Sequence, residues 1–256
     1  MCTTCGCSGS NHHHHDHDHD HDHDHHHDHE HEHHHHDNDE SQSSVIRLEA
    51  DILGENNRHA AFNRGFFAGR SIHALNIVSS PGSGKTSLLE ATIRGLDGEM
   101  PMAVIEGDQQ TSNDADRITA LGVAATQINT QNGCHLDAHM VGHAVEHLNP
   151  APGSLLFIEN VGNLVCPAMF DLGENERIVM ISVTEGDDKP LKYPYMFAGS
   201  DICIINKTDL LPYVDSDLER LRANLLAVNP GLRIFALSAT KGDGLEEWLD
   251  YLRAKK

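Results

Sequence analysis

Apolar residues in this chain fall into short runs bounded by glycine, proline and polar clusters, and the runs alternate with stretches of helical period. Ala74 to Val78, Met102 to Glu106, Val123 to Ile128, Leu155 to Glu159, Ile178 to Val183 and Ile202 to Ile205 read as strands. A helix is predicted over Asp114 to Leu121, and the amphipathic stretch Leu245 to Leu252 reads as a terminal helix. Ahead of the first strand, Ile46, Ile52, Leu53, Ala60, Phe62, Phe66 and Phe67 mark one helix or two, with Gly54 and the Asn56, Asn57 pair as the expected interruption. Apolar strands alternating with helices predict an α/β fold, a mostly parallel sheet flanked by helices.

Composition divides the chain. Residues 1 to 44 hold 17 of the 23 histidines and 11 of the 39 acidic residues, with no Lys or Arg. Their only apolar residues besides Met1 are cysteines, so they are expected to be a disordered tail, and 45 to 256 the folded domain. The formal charge of −21 argues against nucleic acid as a partner, because phosphate backbones need a basic face. No apolar run reaches the roughly 18 residues of a membrane helix, and no secretory signal is present, so a cytoplasmic protein without membrane attachment is expected.

The first strand runs into Ser79-Ser-Pro-Gly-Ser-Gly-Lys-Thr86, followed by a helical pattern, which is the setting of a phosphate-binding loop. Gly82, Ser83 and Gly84 would close the backbone around an anion. Lys85 would reach the terminal phosphates, and Thr86, followed by Ser87, would offer a hydroxyl to Mg²⁺. Ser79 departs from the pattern, standing where the motif has its first glycine. Two further strand ends carry acids toward the same edge. Asp108 could hold Mg²⁺ through water, orient the attacking water or cap a helix; Glu159, three residues before Gly162, matches the logic of a nucleotide switch. Asn206-Lys-Thr-Asp209 follows another strand, and Asp209 can accept both N–H groups on the guanine edge while Lys207 covers the base. Ser238, Ala239 and Thr240 would close that pocket. These residues predict a GTPase that uses Mg²⁺, with Lys85, Asp108 and Glu159 as its catalytic set.

Metal chemistry is written twice. Cys2, Cys5 and Cys7 are three thiols within six residues, and the His/Asp tract that follows offers many interchangeable imidazole sites for Ni²⁺, Zn²⁺ or Cu²⁺. In the domain, Cys134 and His135 stand at an expected helix start, where the dipole would lower a thiol pKa. His139, His143 and His147 continue at spacings of four as a polar face, and Cys166 follows the switch glycine by four residues. Cys203 lies within a strand and reads as core.

Cys2 to Cys7, Glu106 to Thr111, Gly133 to Ala138, Glu159 to Pro167 and Asn206 to Asp209 together resemble the nickel-inserting hydrogenase maturation GTPases, the HypB family. The resemblance implies a P-loop GTPase of the nucleotide-dimerising class, acting as a homodimer with the small nickel-binding partner HypA and the hydrogenase large subunit. It also implies Ni²⁺ or Zn²⁺ at Cys134, His135 and Cys166. Two related readings are a urease accessory GTPase, expected to carry Cys-Pro-His, and a zinc-directed GTPase chaperone, expected to carry Cys-x-Cys-Cys. Neither motif is present. A reading of another class is a nickel store without enzymatic activity.

Overall fold

The structure, a computed structural model, describes residues 37–108, 113–130 and 133–255. Contacts divide the chain into Met1–Ile52 and Leu53–Lys256, and the second unit carries the sheet. In order the elements are α1 (Asp37–Gly69), β1 (His73–Ser79), α2 (Lys85–Leu96), β2 (Met102–Asp108), α3 (Asn113–Thr119), β3 (Ala124–Asn129), α4 (Ala138–Leu148) and β4 (Leu155–Gly162). There follow β5 (Glu176–Ser182), α5 (Lys189–Lys192), α6 (Pro194–Ala198), β6 (Ile202–Asn206), α7 (Leu218–Val228), β7 (Arg233–Ala236) and α8 (Leu245–Arg253). The seven strands form one sheet in the order β3-β2-β4-β1-β5-β6-β7, and every pair is parallel.

Alternation along each strand splits the core. Leu75 and Ile77 of β1 join Leu88, Leu89, Trp248 and Leu252 in one cluster. Ala74, one residue over, faces the other side with Phe67, Val141 and Ile158. Trp248 is fully buried, and its indole N–H donates to Thr92 Oγ1 at 3.0 Å, so that burying the ring strands no donor. Cys203 is fully buried, as expected, and burial pushes its thiol pKa up.

Three details differ from the sequence reading. First, α1 passes through Gly54 and Asn56 without a break and begins at Asp37, before the composition shift at Val45. Asn56 serves a distant partner rather than a turn: it donates to the Asp171 carbonyl at 2.8 Å and accepts from Ala138 N–H at 2.9 Å. Second, the expected helix start at Cys134 is displaced. The α4 helix begins at Ala138, because the Asp137 carboxylate accepts from Met140 N–H at 2.8 Å and fixes the cap there. Cys134 and His135 therefore lie in the preceding loop, and the helix dipole does not act on the thiol as an N-terminal turn would. Third, β2 runs two residues beyond Glu106 and β4 three beyond Glu159, so that Gly107, Asp108 and the stretch Asn160 to Gly162, expected as loop, lie inside strands paired to their neighbours. No described helix is long and apolar enough to cross a membrane.

Candidate functional site

In a parallel sheet all strand ends of one kind share an edge, so the carboxyl ends of β1, β2, β4 and β6 converge. The turn from β1 into α2 is shaped by Gly82 and Gly84, at φ 73° and 100°. At Gly84 a Cβ would lie 2.6 Å from Asn206 Nδ2, so glycine is required twice over. Ser83 is buried, and its hydroxyl has no hydrogen-bond partner among the described residues. Ser79, the departure from the usual motif, has a function of its own: Lys85 Nζ donates to its Oγ at 2.9 Å, and that hydroxyl donates to the Ser80 carbonyl at 2.7 Å. The lysine is thus held at the loop before any phosphate arrives.

Gly82, Lys85, Thr86, Glu106, Glu159 and Gly162 line a cleft of about 430 Å³, with Ser87 on its wall. Thr86 Oγ1 donates to Glu159 at 3.3 Å, and Lys85 Nζ stands 3.8 Å from the same carboxylate. The juxtaposition of a hydroxyl and a carboxylate beside a phosphate loop fits a hard divalent cation, which takes oxygen ligands. Asp108 ends β2 at this edge, and only its backbone is described.

Glu106 was given no role by sequence reasoning. It is 3% exposed, one of its oxygens has no described partner, and it faces Glu159. Burial, reinforced by the Glu159 charge, pushes the Glu106 carboxyl far above its ordinary value. Burial also raises Glu159, with Lys85 opposing. Two acids sharing a low-dielectric site beside one ammonium cannot both be ionised unless further positive charge arrives. A glutamate preceding Gly107 has no signature in sequence that announces this.

The loop that follows β6 is built around Asn206. Its amide donates to the Ser83 carbonyl at 2.9 Å and its Oδ1 accepts from Ala239 N–H at 3.0 Å, joining the phosphate loop to the Ser238 to Thr240 turn. Ser238 and Thr240 pair through their hydroxyls at 3.3 Å. Lys207, at φ 62°, lays its ammonium on the Gly82 carbonyl at 2.7 Å. Asp209 presents a buried Oδ1 with no partner among the described residues. A buried unpaired carboxylate oxygen is costly and has a use only when a donor arrives from outside.

Cys134, His135 and Cys166 each offer a ligand atom within 4.8 Å of the others. Cys134 Sγ and His135 Nδ1 are 3.6 Å apart, close to the spacing of about 3.6 Å that sulfur and imidazole ligands take around one tetrahedral ion. His135 stacks on Phe170 with ring centroids 3.9 Å apart, and burial lowers its pKa, favouring the neutral imidazole that binds metals. Cys166 is buried at the head of a 3₁₀ turn, Cys166–Met169. His139, His143 and His147 are exposed on α4, the first two with Nε2 atoms 3.1 Å apart. Residues Cys2, Cys5 and Cys7 and the histidine tract lie outside the described residues.

The family model described as "CobW/HypB/UreG, nucleotide-binding domain" matches residues 73–236. The hydrogenase maturation factor HypB of Azotobacter vinelandii is 58% identical over 215 residues, covering 84% of this chain and 71% of that protein. Among solved structures, HypB from Archaeoglobus fulgidus is 42% identical at a TM-score of 0.74, covering 78% of this chain and 98% of its own. HypB from Helicobacter pylori, solved in complex with nickel, is 38% identical at a TM-score of 0.74, covering 78% and 94%.

Proposed function

The chain belongs to the HypB family of hydrogenase maturation factors, within the CobW/HypB/UreG domains, and we propose that it hydrolyses GTP to govern delivery of Ni²⁺ to a hydrogenase large subunit. One observation carries this reading. The stretch Glu159 to Cys166 begins at the cleft beside the glycine loop and ends at the three-donor cluster, so eight consecutive residues join the two.

In this reading the helix N-terminus and Lys85 hold the terminal phosphates, and Thr86 and Glu159 hold Mg²⁺, joined by Asp108 directly or through water. Bound Mg²⁺ would supply charge neutralisation for the phosphoryl oxygens as the γ-phosphate leaves. Gly162 would offer its N–H to the γ-phosphate. Asp209 would accept from guanine, which the partnerless oxygen supports. Ni²⁺ is cargo here, held by Cys134, His135 and Cys166; Zn²⁺ fits the same donors. Three donors per chain suit an ion shared across a homodimer, with GTP favouring that dimer and HypA receiving or supplying nickel. Residues 1 to 44 would serve as a separable nickel store beside the GTPase domain of 45 to 256.

A urease accessory role and a zinc-directed chaperone lack their expected motifs here. A store without activity is hard to reconcile with Lys85, Thr86 and Glu159 standing together at one cleft.

The test is GTP turnover by the full chain with Mg²⁺, with Asp209→Asn alongside. We expect the variant to lose GTP affinity by at least about tenfold and to accept xanthosine triphosphate, whose C2 oxo group accepts where guanine donates. Undiminished GTP binding would remove the base-reading role, and absence of turnover in the wild-type protein would remove the GTPase reading.

A further inference from the structure

The proposed coupling of nucleotide to metal needs parts that touch both, and two buried or half-buried asparagines on β4 and the loop after it do so. Asn160 is 1% exposed and follows Glu159 directly. Its Oδ1 accepts from Leu136 N–H and from Val161 N–H, each at 3.0 Å, while its amide donates to Asn76 Oδ1 at 3.3 Å. Leu136 is the residue after His135, so a buried hydrogen bond ties the backbone beside one metal donor to the residue that follows Glu159.

A second contact reaches the same residue from the neighbouring strand. At Gly107 of β2 a Cβ would lie 2.8 Å from Leu136 Cγ and 3.0 Å from the Glu159 carbonyl oxygen. Leu136 is fully buried against that bare backbone. The ends of β2 and β4, both at the phosphate edge, therefore converge on the residue beside His135.

Asn163 repeats the device for the other arm. Its Oδ1 accepts from Val165 N–H at 2.7 Å and Cys166 N–H at 3.3 Å, and its amide lies 3.8 Å from Cys166 Sγ. One switch stretch thus holds both halves of the donor cluster through side-chain amides of the same kind.

We infer that Asn160 and Asn163 are positioning residues that carry the nucleotide state to the metal donors, Asn160 through Leu136 to His135 and Asn163 to Cys166. The inference rests on the reading of a GTPase that handles nickel. When the Glu159 to Gly162 stretch reorganises around a γ-phosphate, Asn160 moves with it. The Leu136 N–H follows, since the alternative is a buried donor with no partner. A change in the spacing of Cys134, His135 and Cys166 results. Coupling of this kind is reciprocal: whatever factor the nucleotide imposes on metal affinity, metal imposes on nucleotide preference.

Reciprocity allows the test to be read at the nucleotide, in the full-length chain. Affinities for fluorescent GDP and for a non-hydrolysable GTP analogue are measured with and without Ni²⁺. Cys166→Ala serves as the baseline for nickel bound elsewhere. Wild-type protein should show a GTP-analogue to GDP preference that Ni²⁺ changes by about fivefold or more. In Asn160→Ala that change should shrink to within about twofold of the Cys166→Ala baseline. A role confined to holding the fold would weaken both affinities and leave the nickel effect on their ratio. A wild-type preference that Ni²⁺ does not move overturns the nucleotide and metal reading itself. A wild-type nickel effect that survives in Asn160→Ala overturns this inference alone. Should Asn160→Ala not fold, Asn163→Ala is judged by the same ratio, and a nickel effect equal to wild type overturns the inference.

Discussion

At the amino edge of the sheet Glu176 receives His73, Tyr251 and Lys255, whereas at the carboxyl edge Glu106 faces another glutamate and leaves an oxygen without a described partner. The two acids sit on the same sheet, and their pKa values are driven in opposite directions. Burial tends to raise Glu176, but its three partners outweigh that and bring it down to about 2. Burial and Glu159 push Glu106 up. At one edge the carboxylate is satisfied by three partners and contributes stability, while at the other a buried acid keeps its proton beside a second acid. Functional sites commonly carry such perturbed groups, and the physical reason here is specific: Glu106 and Glu159 face each other in a buried cleft beside Lys85.

The largest effect should come from Lys85, the cation beside the paired acids at the carboxyl edge. Lys85→Ala removes the ammonium beside Ser79 and Glu159, and we expect a fall on the order of 10² to 10³ in kcat for GTP hydrolysis, measured by phosphate release. A fall of less than about tenfold would mean that the edge does not depend on this charge.

Glu106→Gln sharpens the contrast, because the amide imitates the protonated acid. The nucleotide-free protein should gain about 1 to 2 kcal/mol in stability by denaturant titration at pH 7 while turnover falls by about tenfold. The sign follows from the raised value. Above the ordinary carboxyl value of 4.5 the folded state holds a proton that the unfolded chain releases, so this residue makes stability decline as pH rises, and the variant should lose that slope. A destabilised variant would put Glu106 in the same class as Glu176.

Glu176→Gln is the smallest change and bears on the amino edge. We expect a loss of about 1 kcal/mol at pH 7, allowing for solvent screening, with GTP turnover unchanged. The Glu176 contribution is fully present above 4.5 and disappears as pH falls toward about 2, so wild type and variant should converge in acid melts across that window. A turnover defect in this variant would show that the two edges are not independent.

Much of the geometry at the carboxyl edge was legible in the sequence because a glycine loop between strand and helix is a local pattern. Gly82 to Thr86 must follow a strand and open a helix; Asn206 closes β6, and Asp209 lies in the 3₁₀ turn Thr208–Tyr213 just beyond it. The amino edge was not legible, since Glu176, Tyr251 and Lys255 meet only when the last helix folds back on the start of β5. The same applies to Glu106, whose raised pKa needs β2 and β4 side by side. The loop at Cys134 was misread as a helix start because Asp137, three residues on, is the stronger cap. Asn56 was expected to interrupt a helix, and Asn160 and Asn163 carried no expectation, yet each is spent on backbone groups of another segment or of the loop it begins.

Nucleotide state is proposed to change the Cys134, His135 and Cys166 cluster. The most direct measure of that change is the alkylation rate of each cysteine by iodoacetamide, resolved by peptide mass spectrometry on the nickel-loaded full chain. The reaction is followed with GDP and with a non-hydrolysable GTP analogue. Cys134 and Cys166 should change rate together between the two states, while Cys203, fully buried in the sheet, stays unreactive in both. Equal rates for Cys134 and Cys166 in the two nucleotide states would contradict the account.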